Sequence, residues 1–223
     1  MNENMGLNRN WIYSLLFISV FMAVMAVATS NFFYKSGTAG MGIIILLILN
    51  FRNNRSSKDI WLIIAAFTFS IAGDWFLSHK NGDEEMFSKG IALFFLAHLG
   101  YLIYATINGK INWKFTGILL AAFLTFFFIM LYPAITDKVL MIATLIYLLV
   151  SCFSLGAAVG MTGDNLVKWS YAVGIFLILF SDTIISLTEF LGYKNLDFLI
   201  LPTYYLAHIS ITFSLIRKSE GKQ

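Results

Sequence analysis

The sequence predicts an all-α fold, a polytopic membrane bundle of eight transmembrane helices, and three observations carry that prediction. Of the 223 residues, 59% are hydrophobic and only 12% charged, against about a quarter charged in soluble domains. Mean hydropathy is +0.79. Apolar runs of about 20 residues, the length that crosses roughly 30 Å of hydrocarbon at 1.5 Å per residue, recur eight times along the chain. Lipid offers the backbone no hydrogen-bond partner, so each run must satisfy its own peptide groups, which a helix does.

The spans follow in order. Trp11–Thr29 comes after a short polar head with Arg9 and lacks a small-residue cleavage pattern, so it reads as a retained anchor. Phe32–Phe51 carries Lys35 just inside its start. Ile60–Ser78 contains AGDWFLS, and Phe87–Ile107 contains FLAHLGYLIY. Trp113–Leu131 is followed by Pro133 in a loop, and Val139–Gly160 contributes Tyr147. Lys168–Phe190 contains FSDTIISL, and Phe198–Ile216 holds Pro202 near its start, then YLAHISITFS. These spans take up most of the chain and leave no soluble unit, so residues 1–223 read as one transmembrane domain.

Eight spans put both termini on one side. Arg9, Arg52, Arg55, Lys58, Lys110, Lys114, Lys168, Arg217, Lys218 and Lys222 fall on that side, against Lys35, Lys80, Lys89, Lys138 and Lys194 opposite. The excess places both termini in the cytoplasm. Short loops favour a bacterial inner membrane, and the lipid bilayer is the first partner. A net charge of +3 spread over loops satisfies the same rule and gives no reason to expect nucleic acid. The lone Cys152 excludes an internal disulfide.

An internal repeat is legible. Each copy has a small residue before an Asp, a serine four residues on, and Leu-Ala-His in the next helix; Asp74 to His98 is 24 residues and Asp182 to His208 is 26. Four helices separate the copies, which predicts a parallel 4+4 arrangement. Counting from the span ends puts Asp74 and Asp182 at one level, about 21 Å from the cytoplasmic edge. The two imidazoles fall near the midplane, about 5–6 Å from the carboxylate level in an untilted bundle.

A carboxylate in mid-helix costs about 2.5–3.5 kcal/mol on insertion, so it faces a bundle interior or a watered cavity. Ser70, Asp74 and Ser78 share one helix face; Asp182 and Ser186 share another, with Glu189 next. His98 with Tyr101, Tyr204 with His208, and Tyr147 supply further inward polar groups. Convergence on a pocket is the functional reading. The plain alternatives are that the Asp side chains bond across helices as packing, and that the histidines and tyrosines are satisfied core residues. Lys35 either snorkels to the headgroups or meets a lipid phosphate or an Asp.

The order of these motifs, GD in the third span, AH followed three residues later by Tyr in the fourth, SD in the seventh and TYYLAH in the last, resembles the YhhN-like lysoplasmalogenase family. These are eight-helix integral membrane proteins that cleave the vinyl ether bond of lysoplasmalogens. The similarity runs from about Lys35 to the end of the eighth span. It implies catalytic carboxylates at Asp74 and Asp182, with Lys35, His98, Tyr101, Tyr147 and Tyr204 lining the site. Ser70, Ser181 and His208 complete the candidate set. Two departures stand out: Ser36 follows Lys35 where the family pattern has proline, and His208 stands where glutamine is common.

Vinyl ether hydrolysis asks for such a pair on its own account. Protonating the alkenyl carbon makes an oxocarbenium ion, water then adds, and the hemiacetal collapses to a fatty aldehyde and a glycerophospho-alcohol. One carboxyl must hold a proton while the other stays ionised, a split that low dielectric and a like charge nearby favour. Glycosidases handle a similar cation with two carboxylates. The residues do not decide which Asp is the acid, though Ser181 beside Asp182 could donate to an ionised carboxylate. The expected substrate is a lysophospholipid entering sideways, its headgroup near Lys35, Lys80 or Lys194, with no cofactor and no metal. Two rivals stay open at this point: a proton-coupled transporter using Asp74, Asp182, His98 and His208 as a relay, and a lipid hydrolase with zinc held by the same four.

Overall fold

A computed structural model describes residues 10–29, 31–52 and 58–221. It contains the helices α1 (Asn10–Thr29), α2 (Phe32–Arg52), α3 (Ile60–Ser78), α4 (Glu84–Ile107), α5 (Trp113–Phe126), α6 (Lys138–Val159), α7 (Asn165–Leu191) and α8 (Asp197–Glu220). α5 runs on into a π-helical turn, Phe127–Leu131. All eight spans are long and apolar enough to cross a membrane, as the sequence predicts. Arg9, Arg55, Lys222 and the side chain of Arg52, which entered the charge count, lie outside the described residues.

Several helices start before their apolar run, because caps rather than greasy residues set their ends. Asp83 Oδ1 accepts from the Glu85 N–H at 2.8 Å, so α4 opens three residues ahead of Phe87. Asp164 Oδ1 accepts from Leu166 at 2.8 Å and Val167 at 3.0 Å, and α7 opens at Asn165 rather than Lys168. Asp137 caps α6 in the same way through the Leu140 N–H at 2.7 Å. Each side-chain oxygen satisfies donors that have no partner in the first turn.

Packing follows the repeat. α3 lies most extensively on α4, and α7 on α8. The pairs α1–α2, α2–α3 and α2–α8 have counterparts four helices along in α5–α6, α6–α7 and α6–α4. α1 also packs on α8, with no comparably packed counterpart between α4 and α5. Most large apolar side chains left exposed, such as Phe17, Phe21, Ile118 and Phe198, lie on the outer faces of the helices, where lipid would meet them.

One end of the bundle is tied shut. Lys218 of α8 bonds to Asp59, the Asn108 side-chain oxygen and the Tyr104 hydroxyl, and Tyr13 of α1 donates to Glu220 at 2.9 Å. The start of α1 and the end of α8 therefore share this end. The cavities at the carboxylates lie toward the opposite end.

The α7–α8 seam positions half of the site, and small residues make it close. Ser214 Oγ donates to the Val167 carbonyl at 2.6 Å and Ser181 Oγ to the Ile200 carbonyl at 3.1 Å. Between these bonds, a Cβ on Gly174 would lie 2.5 Å from Ile211 Cγ1 and 3.0 Å from the Ala207 carbonyl. Gly174→Ala should therefore destabilise the protein by about 1–3 kcal/mol through overpacking. Gly40→Ala, where nothing lies within 4 Å of the new Cβ, should leave stability unchanged or slightly raised. Thermal unfolding of both variants in detergent checks the contrast.

Candidate active site

Near the open end, Asp74 from α3 and Asp182 from α7 line one cavity of about 200 Å³, together with Lys35, Ser181 and Tyr204. Leu77, Phe87 and Phe94 form its apolar walls. Two carboxylates set 108 positions apart in the chain thus open on a shared space. Their surroundings differ sharply.

Asp182 is held. The Tyr147 hydroxyl donates to its Oδ2 at 2.6 Å, and His98 Nε2 lies 3.0 Å from the same oxygen, donating to it in the Nε2-protonated tautomer. Tyr147 comes from α6 and His98 from α4, so three helices meet on one carboxylate oxygen. Counting along straight helices separated the imidazole from the carboxylate level, and the contact corrects that. Every Cα–Cβ bond tilts toward the N-terminus of its own helix, and α4 and α7 run in opposite directions. The two side chains therefore lean toward each other and close the gap. The expected donation from Ser181 is also corrected, because its hydroxyl bonds the Ile200 carbonyl instead.

Asp74 is not held in this way. Its Oδ2 is buried without a hydrogen bond, and so is the Tyr204 hydroxyl, which borders the same cavity. Lys35 Nζ makes no ion pair among the described residues, although it lines the same cavity as the Asp74 carboxyl. Ser70 and Tyr101 lie in the buried core beside the cavity rather than in its wall, with Ser70 Oγ 3.4 Å from the Tyr101 hydroxyl. Tyr101 is fixed from behind by Tyr171, whose hydroxyl donates to the Tyr101 carbonyl at 2.9 Å.

His208 stays apart from the cavity. Its Nδ1 lies 3.0 Å from the Tyr204 carbonyl one turn back, and its ring packs between Phe67 and Tyr204 at 4.8 and 4.5 Å. The two Leu-Ala-His copies thus place one imidazole on a carboxylate and bury the other among aromatic rings. The set of two Asp and two His that a zinc site requires does not assemble, and no group of three or more metal-ligating side chains occurs among the described residues.

Other cavities meet the site, and little in the sequence marks them. An apolar chamber of about 60 Å³, walled by Leu77, Phe87, Ile91, Phe94, Ile185 and Phe190, reaches Asp182 from between α4, α6 and α7. A second, of about 40 Å³, reaches it past Phe123, Phe126 and Leu131, beside the π-helical turn. A polar vestibule of about 310 Å³ lies outside, lined in part by Asp83, Glu84, Thr136 and Asp137. Lys80 and Glu189 form an ion pair between this vestibule and the main cavity and line both. The two charges are legible in the sequence as a pair six and seven residues beyond Asp74 and Asp182, about two turns nearer the helix ends. The phenylalanines are not, since 22 are spread along the chain and any membrane bundle needs many.

The model of the YhhN family matches residues 34–215. The chain belongs to the YhhN family. The match covers all the residues just described, from Lys35 to His208, and leaves α1 outside. Among curated proteins and solved structures no match is found. In this family member, the cavity offers a pair of carboxyl groups with unequal support, bordered by apolar space on one side and polar space on the other.

The support at Asp182 has a measurable consequence. Tyr147→Phe removes one of two donors from a largely buried carboxylate and should lower stability by about 1–3 kcal/mol. An unfolding midpoint in detergent equal to that of the unsubstituted protein would show that the hydroxyl does not hold the carboxylate.

Proposed function

We propose that the protein is a membrane hydrolase of the lysoplasmalogenase type, cleaving the vinyl ether bond of a lysophospholipid to a fatty aldehyde and a glycerophospho-alcohol. The observation that carries this reading is the unequal carboxylate pair: Asp74 and Asp182 line one cavity, with two donors on Asp182 and none on the buried oxygen of Asp74. The resemblance of the GD, AH, SD and TYYLAH motifs to vinyl ether hydrolases supports it further, as does membership of the YhhN family.

Two donors on one oxygen suit the ionised partner, and a buried oxygen with no donor suits the partner that carries a proton. Asp74 then gives its proton to the alkenyl carbon remote from the ether oxygen, leaving an oxocarbenium ion. Asp182 faces that cation and takes a proton from the water that adds to it. In the collapse of the hemiacetal, Asp182 returns its proton to the departing glycerol oxygen while Asp74 accepts the hydroxyl proton. Both carboxyls are back in their starting states, with no oxidant, reductant or further reactant consumed. Tyr147 and His98 keep Asp182 aimed and charged; Tyr204 borders Asp74.

The surrounding space suits a single-chain lipid. The apolar chambers at Asp182 suit the first few carbons of an alkenyl chain, while the vestibule gives the polar portion access to water. In this reading the whole chain works as one transmembrane domain with both termini cytoplasmic, so the cavity opens toward the outer face.

Purified protein incubated with choline and ethanolamine lysoplasmalogens should release fatty aldehyde, and the saturated ether analogue should be left intact. Aldehyde from neither vinyl ether would end the proposal, and cleavage of the saturated ether would rule out protonation of an alkene. Asp74→Asn and Asp182→Asn should each lower the rate by about 10²–10⁴-fold with folding retained. His208→Gln should keep nearly full activity, because that imidazole bonds only a neighbouring carbonyl and stays out of the cavity wall. Initial rates of aldehyde release check all three.

A further inference from the structure

The Lys80–Glu189 ion pair has no part in the chemistry above, yet it occupies a controlling place. Lys80 sits in the turn between α3 and α4, where Asn81 and Gly82 take φ of 41° and 85° and turn the chain back over the cavity mouth. Its ammonium lies 5.1 Å from the centre of the Phe87 ring. Glu189 belongs to the last turn of α7. Lys80, Phe87 and Glu189 all line both the main cavity and the vestibule, so together they form the partition between them. Both charged side chains are about 29% exposed, buried enough for the charges to interact yet open to displacement by an ion from outside.

Inside the partition, Lys35 is a cation with no ion pair among the described residues, and it lines the same cavity. An anion entering would be repelled from the floor by Asp182 and drawn to the two lysines. We infer that Lys80 and Lys35 form a subsite for a phosphate ester at the cavity mouth, and that Glu189 is a latch that keeps Lys80 across the entrance until the phosphate takes its place. The assignment rests on the reading of the cavity as a lipid site and adds to it the position of the phosphate. A vinyl ether a few atoms along the glycerol from that phosphate then lies deeper, toward the carboxylates.

Binding rather than cleavage tests the subsite. Titration calorimetry of the full chain in detergent would use three probes: a saturated 1-alkyl lysophospholipid, the matching 1-alkylglycerol without phosphate, and sn-glycerol 3-phosphate. Lys80→Met should weaken the lysophospholipid by about tenfold or more, the scale of one charge-assisted contact, and leave the alkylglycerol unchanged. Lys80→Arg should retain binding, which guards against simple misfolding. Glu189→Gln frees the lysine and should bind the lysophospholipid at least as tightly as the unsubstituted protein. Glycerol phosphate binding with the same dependence on Lys80 would place the phosphate site here for a soluble ester as well; lipid binding alone would make the tail a requirement. Equal weakening of lysophospholipid and alkylglycerol by Lys80→Met, or no weakening of either, overturns the subsite. Selective weakening in a protein that releases no aldehyde would uphold the subsite while removing the hydrolase reading.

Discussion

A carboxylate inside an apolar bundle needs donors of its own, and at Asp182 they arrive from two other helices. The Tyr147 hydroxyl and His98 Nε2 converge on one oxygen, so the register of α4, α6 and α7 is the one that brings them there. Leaving that oxygen unpaired in low dielectric would be costly, which makes the contact a constraint on helix placement as much as a feature of the site. The packing of α4 on α6, which joins the two halves of the chain, runs through it. Another junction between the halves, α2 on α8, carries no equivalent carboxylate clamp among the described residues. Asp74 is therefore free to take a different role.

That difference is the main departure from the symmetry of the fold. The helix pairs correspond across the two halves, and the Asp and His positions correspond as well. Yet His98 reaches the opposite half's carboxylate, while His208 bonds back to its own helix and packs against Phe67. A duplicated pattern thus supports two unlike carboxyl environments. A like charge nearby is enough to leave one proton on a carboxylate pair; unlike surroundings add a preference for which member carries it.

The cavities give the site its second asymmetry. Apolar chambers meet Asp182 from within the bundle, while the route toward the aqueous end passes a charged partition and a polar vestibule. A molecule with an apolar tail and a charged head has one favourable orientation in such a space. The gradient comes from wall composition along the bundle axis, so it would orient a ligand even before any specific contact formed.

By itself the sequence determined the number and order of the helices, since about 20 apolar residues per crossing and an internally satisfied backbone leave a lipid-embedded chain no other course. It also determined which helices carry the acids and that the two acids share a face toward the interior, because a buried charge is expensive wherever it sits. Helix ends are less legible, as at α4 and α7, where side-chain caps at Asp83 and Asp164 begin the helix in polar sequence. Only the tertiary structure decided which histidine serves a carboxylate, that Ser181 bonds the Ile200 carbonyl rather than Asp182, and that Lys80 reaches Glu189 across the mouth. Periodicity gives the face of a helix, but which neighbour that face meets, and the direction in which each side chain leans toward it, depend on how antiparallel helices pack.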